Sequence, residues 1–87
     1  MDDAALKAFR VKVDETHAWP CVYVFKFIVP RWKLPDLLAL FEGRAYATRD
    51  SANGKYVSLT AEWVVPSSAD VIAVYVQALK IEGILTL

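Results

Sequence analysis

The amino-acid sequence predicts an α+β fold: a ferredoxin-like βαββαβ sandwich with two helices on one face of a four-stranded antiparallel sheet. Three observations carry this expectation. Cys21–Val29 and Lys55–Val65 are rich in β-branched and aromatic residues at strand spacing. Two other stretches, around Leu34–Phe41 and Val71–Leu79, place apolar residues three and four apart, as helices do. The resulting order is strand, helix, strand, strand, helix, strand, and right-handed crossovers put both helices on the same side of the sheet.

Each element has its own justification. Residues 1–19 read as an N-terminal arm with a short amphipathic helix. Leu6, Phe9 and Val13 sit at helical spacing, although Phe9, Val11 and Val13 also alternate like a strand. Residues 20–87 form the domain proper. "CVYVFKFIV", bounded by Pro20 and Pro30, is apolar except at Lys26 and reads as a central strand. Tyr23, Phe25 and Phe27 share one of its faces; Val24, Lys26 and Ile28 share the other. "RWKLPDLLALFEG" follows as a short helix, with Pro35 suited to its first turn and Gly43 to its stop.

"RAYATRDS" is the least apolar strand, and its charges suit a sheet edge. In "KYVSLTAEWVV", Val57, Leu59, Ala61, Trp63 and Val65 alternate with Tyr56, Ser58, Thr60, Glu62 and Val64. That is the pattern of a half-buried strand. Ser67, with Asp70 three positions on, resembles a capping box before the second helix. Val71, Val74, Tyr75, Ala78 and Leu79 form that helix's apolar face, and Lys80 suits its end. "EGILTL" closes the chain as a short strand. The sheet face without helices is expected to carry Lys26, Tyr56, Ser58, Thr60, Glu62 and Thr86.

Composition bounds the function. The 87 residues carry ten basic and ten acidic side chains and 56% hydrophobic residues, with 3 Gly and 4 Pro. One domain fits this length, and disorder does not fit this composition. The balanced charge leaves no electrostatic footprint for nucleic acid or an anionic membrane. Cys21 is the single cysteine, which excludes an internal disulfide and a multi-cysteine zinc site and suits a reducing cytoplasm. No apolar run reaches the ~18–20 residues of a membrane span. The acidic start "MDDAALKAFR" has no apolar signal core, so no export signal is expected.

The stretch "RDSANGKYVSL" places a lysine directly after a glycine. A phosphate-binding loop needs G-x-x-x-x-G-K-[ST] between a strand and a helix. Here Tyr56 follows Lys55, no glycine lies five positions before Gly54, and a strand comes next. Asn53-Gly54 between strand-like runs is instead a hairpin signal, because both residues tolerate positive φ.

Other candidate chemistry is thin. His17 and Cys21 lie four apart with Pro20 between them; two ligands make no zinc site, and no second histidine exists to act as a base. Cys21 reads as a small buried hydrophobe. Trp19 and Trp32 read as packing anchors and Trp63 as a core-facing residue. The RNA-binding signature of the same topology is missing from "KYVSLTAEW". "VPRWKLP" has two prolines and no glycine, a poor anion nest for an acylphosphatase-type hydrolase.

Several segments resemble a known family. "WPCVYVFKFIV" is similar to an aromatic-Pro-x-x-Tyr-x-Phe-Lys pattern, and "SANGKYVSLT" to Ser-x-x-Gly-Lys-Tyr-x-Ser-[Val/Leu]-Thr. "VYVQALKIEGILTL" matches a third pattern at Tyr75, Leu79, Ile81, Gly83 and Leu87. Together, over residues 19–87, they resemble the YbeD-like family of bacterial proteins of unknown function, domain-of-unknown-function family 493. The resemblance implies a fold similar to small-molecule-sensing ACT regulatory domains, and it brings no catalytic residues.

The functional expectation is a non-enzymatic regulatory or interaction module, without cofactor or metal. It would bind a protein partner or small metabolite through the open face or a sheet edge, and a homodimer is one version. The expected surface is Lys26, Tyr56, Ser58, Thr60 and Arg49, with Tyr56, Lys26 and Arg49 as the patch for a partner or a small anion. Single-stranded nucleic-acid binding on the same face and acylphosphatase-type hydrolysis are the alternatives.

Overall fold

The computed structural model describes residues 2–86; the Leu87 match of the third pattern lies outside them. In chain order the elements are α1 (Asp3–Thr16), β1 (Cys21–Pro30), a 3-10 turn (Arg31–Lys33), α2 (Leu34–Leu40), β2 (Ala47–Asp50), β3 (Tyr56–Val65), α3 (Ser68–Ala78) and β4 (Leu85–Thr86). The fold is α+β, with four antiparallel strands in the order β2-β3-β1-β4 and three helices among the described residues. Two helices were expected beside an arm; the arm is itself a 14-residue helix packed on α3.

Phe9 and Val13 decide the conformation of α1. Phe9 meets the Tyr75 ring edge-on at 4.8 Å, and Val13 is buried. Val11, which a strand would turn inward with them, is 56% exposed. Asp2 caps the helix by accepting from the Ala5 N–H at 2.7 Å.

A polar network joins α1 to its surroundings. Arg10 Nε donates to Ser68 Oγ on α3 at 3.2 Å, and Trp19 Nε1 donates to Asp14 Oδ1 at 2.8 Å. The Ser68 hydroxyl first, then the Trp19 indole, hold the Asp14 carboxyl below the usual 3.8. A depressed carboxylate contributes stability above its ordinary value and loses it as pH falls through the folded value. Amide protection in α1 is therefore expected to drop on acidification below that range while the sheet stays protected. In Asp14→Asn this acid step should be absent; native-state exchange across a pH series checks it.

The core lies between the sheet and the helices. Phe25, Phe27 and Val29 of β1 and Leu59, Ala61 and Val65 of β3 are buried against Leu37 and Phe41 from the α2 region and Val71, Tyr75 and Ala78 of α3. β1 is central, between β3 and β4. Trp63 faces this side, donating Nε1 to the Ala45 carbonyl at 3.1 Å beneath the Arg44 guanidinium.

Some local expectations are corrected. Ser67 is the N-cap of α3, but its hydroxyl donates to Asp70 Oδ2 at 2.8 Å and no capping box forms. Aspartate is one methylene shorter than the glutamate that reaches back in such a box. Trp32 is not an anchor: it is 68% exposed, with the Lys33 ammonium 4.7 Å from its ring centroid. Cys21 is half-buried rather than buried.

Candidate functional site

The register defines what the helix-free face presents. Directly opposed residues in a sheet share a face. Arg49 opposes Ser58, Ser58 opposes Ile28, and Ile28 opposes Leu85, so one row crosses all four strands. The next row is Ala47, Thr60 and Lys26. Beyond it Glu62 opposes Val24 and Val64 opposes Val22; on the other side Tyr56 opposes Pro30.

The row from Arg49 to Leu85 forms the floor of a concavity of about 430 Å³, completed by Tyr56, Ser51 and Asp50. Its lining is overwhelmingly apolar, supplied by Ile28, Leu85, the Tyr56 ring and the stem of Arg49. That size and character suit a small-molecule site. The two serine hydroxyls at its wall are already engaged. Ser58 Oγ donates to the Arg49 carbonyl at 3.3 Å, and Ser51 Oγ donates to Asn53 Oδ1 at 3.0 Å while accepting from the Tyr56 N–H at 3.1 Å. The Asp50 carboxylate pairs instead with Arg31 Nη2 at 2.8 Å. The charge presented within this row is thus the Arg49 guanidinium.

The loop between β2 and β3 shapes the wall. Residues 51–55 close through Ser51 N–H to the Tyr56 carbonyl at 2.9 Å and Gly54 N–H to the Ser51 carbonyl at 3.0 Å. Gly54 takes φ +72°, whereas Asn53 does not enter the positive region. The expected pair of left-handed residues is therefore one. Asn53 acts through its side chain, its Oδ1 also accepting from the Lys55 N–H at 3.1 Å. Arg31 braces the loop from behind: Nε donates to the Gly54 carbonyl at 2.7 Å, and its backbone N–H to the Lys55 carbonyl at 2.9 Å. A hairpin with strands on both sides is what the glycine-lysine step builds.

Of the five expected surface residues, Arg49, Tyr56 and Ser58 come together at the concavity. Lys26 and Thr60 face each other one row away and do not line it. Thr86 is misassigned: it opposes the core residue Phe27, and Leu85 takes the open face. Sequence reading also missed the apolar character of this face. Val22, Val24, Val64 and Leu85 are all at least half-exposed on it. The parity of Val24 and Ile28 with Lys26 already carried that signal.

Among the described residues no three His, Cys, Asp or Glu side chains gather as a metal site, and no helix is long and apolar enough to cross a membrane. His17 Nδ1 lies 3.0 Å from the Val13 carbonyl, and its ring stacks on Trp19. A family model described as "Protein of unknown function (DUF493)" matches residues 14–87. No curated protein and no solved structure matches the chain.

Proposed function

We propose that this chain, which belongs to the DUF493 family of unknown function, is a non-enzymatic regulatory module that binds a small anion-bearing metabolite on its helix-free sheet face. The observation that carries this is the row Arg49–Ser58–Ile28–Leu85, which sets an arginine side chain beside an apolar floor in a concavity of about 430 Å³. An arginine offers paired donors to a carboxylate or phosphate, and the floor accepts the ligand's apolar body. The reading includes a ferredoxin-like, ACT-like fold for residues 20–87, supported by the strand order β2-β3-β1-β4 with α2 and α3 packed in one core. It also includes a cytoplasmic setting, supported by the lone thiol of Cys21.

Amide NMR titration with a panel of small carboxylates and phosphates tests it. Shifts are expected at Arg49, Tyr56, Ser58 and Leu85. Arg49→Ala should weaken the best ligand about 10- to 100-fold, the loss of a charge-assisted hydrogen bond worth about 1.5–3 kcal/mol. Lys26→Ala, one row away, should change affinity little. Shifts confined to the Lys26–Thr60 row, or no shift with any anion, would refute the reading.

A further inference from the structure

β1 is ten residues long and paired with β3 along its whole length, yet among the described residues β4 pairs only with Phe27 and Ile28. Among the described residues, Cys21–Phe25 have no strand on their other side. Every second residue there turns its N–H and C=O outward, a row of backbone groups ready for another strand. Edges of this kind are ordinarily blunted by charge, proline or brevity. The opposite edge, β2, follows that rule: it is four residues long and carries Arg49 and Asp50. "CVYVF" does not; it has no charge, and Val22 and Val24 are 57% and 50% exposed.

We propose that this edge pairs with the same edge of a second copy, antiparallel about a two-fold axis, to give a continuous eight-stranded sheet. A two-fold perpendicular to the sheet keeps both helix-free faces on one side, so paired positions must share parity. Centring the free segment puts Tyr23 opposite its own counterpart, Val22 opposite Val24 of the second copy, and Cys21 opposite Phe25. This register is self-complementary. A charge near a two-fold axis meets its own copy, and the segment has none; Lys26 falls outside the paired residues. Val64 flanks Val22 on β3, so the valines of both copies become neighbours across the junction. Closure consumes the unprotected segment of β1 in both copies and leaves open only short edges, the four-residue charged β2 and the two described residues of β4. The paired segment is about 17 Å long at ~3.4 Å per residue, so the contact is small and the dimer reversible.

Sedimentation velocity from micromolar to millimolar protein tests this, independently of any ligand at the concavity. The wild-type chain is expected to move from monomer to dimer. Val22→Lys with Val24→Lys changes two exposed side chains and sets like charges opposite each other across the junction. That variant should stay monomeric, with the same circular dichroism and thermal transition as dilute wild type. Arg49→Ala should dimerise normally. A wild type that is monomeric throughout overturns the proposal, and so does a dimer that persists in the double-lysine variant. If the double variant fails to fold, Val24→Lys alone replaces it, since Val24 lies opposite Val22 and one charge per copy still enters the junction.

Discussion

Phe25→Ala is expected to cost about 3–5 kcal/mol, the usual range for emptying a buried aromatic site. Phe25 is fully buried, and its ring meets those of Tyr23, Trp63, Phe41 and Tyr75 at centroid distances of 5.0, 4.9, 6.3 and 6.2 Å. Those partners come from both central strands and both covering helical segments, so no single neighbour can shift to fill the void. A domain of this size holds on the order of 5–10 kcal/mol in total. The variant should therefore unfold at a much lower urea midpoint, followed by tryptophan fluorescence. Val24→Ala, one position away but half-exposed on the other face, should stay within about 0.5 kcal/mol of wild type. Equal losses at the two positions would mean that the sheet's covered face is not the one described.

Gly83→Ala is the second large loss. Gly83 takes φ +79°, and a Cβ there would stand 2.9 Å from Pro30 Cγ and 3.2 Å from Cδ. The left-handed conformation costs a non-glycine residue about 1–2 kcal/mol, and forced contacts in packed regions typically add about 1–3. The proline ring ends β1, where it cannot swing aside as a flexible side chain would. Since β4 is held to β1 through two paired residues, the strain should appear as lost amide protection at Leu85 and Thr86 as well as a lower midpoint. Gly43→Ala isolates the contact term: φ is +81° there, but a Cβ would meet nothing within 4 Å. It should lose only the conformational part, and a Gly83→Ala no worse than Gly43→Ala would show that Pro30 yields.

The strands that alternate were legible, and the short one was not. β3 carries five apolar residues at strict period two, and its register with β1 places each on the expected side. β4 has two described residues, too few for parity to show, and Leu85 rather than the expected Thr86 lies on the open face. The concavity was half visible for the same reason. Arg49, Tyr56 and Ser58 stand out as polar residues, but the floor they surround is made by Ile28 and Leu85, and of these two only Ile28 is placed on the open face by its parity with Lys26. Trp32 shows the converse limit. A large aromatic beside a buried strand suggests an anchor, yet the 3-10 turn that opens the β1–α2 connection turns it outward. The family resemblance rested on β1, the hairpin and the α3–β4 segment, and the family match covers those residues from position 14 onward.

Arg31 gives the concavity a form of redundancy. It lines none of the floor, yet it reaches the wall behind it three times: through its backbone N–H to Lys55, through Nε to the Gly54 carbonyl, and through Nη2 to Asp50. The three attachments respond to different conditions. The ion pair is half-exposed, so added salt weakens it. The two bonds to carbonyls carry no opposing charge and persist. For the anion proposed above, ionic strength would act through Arg49 while leaving the shape of the wall in place, which separates the affinity of such a site from its architecture.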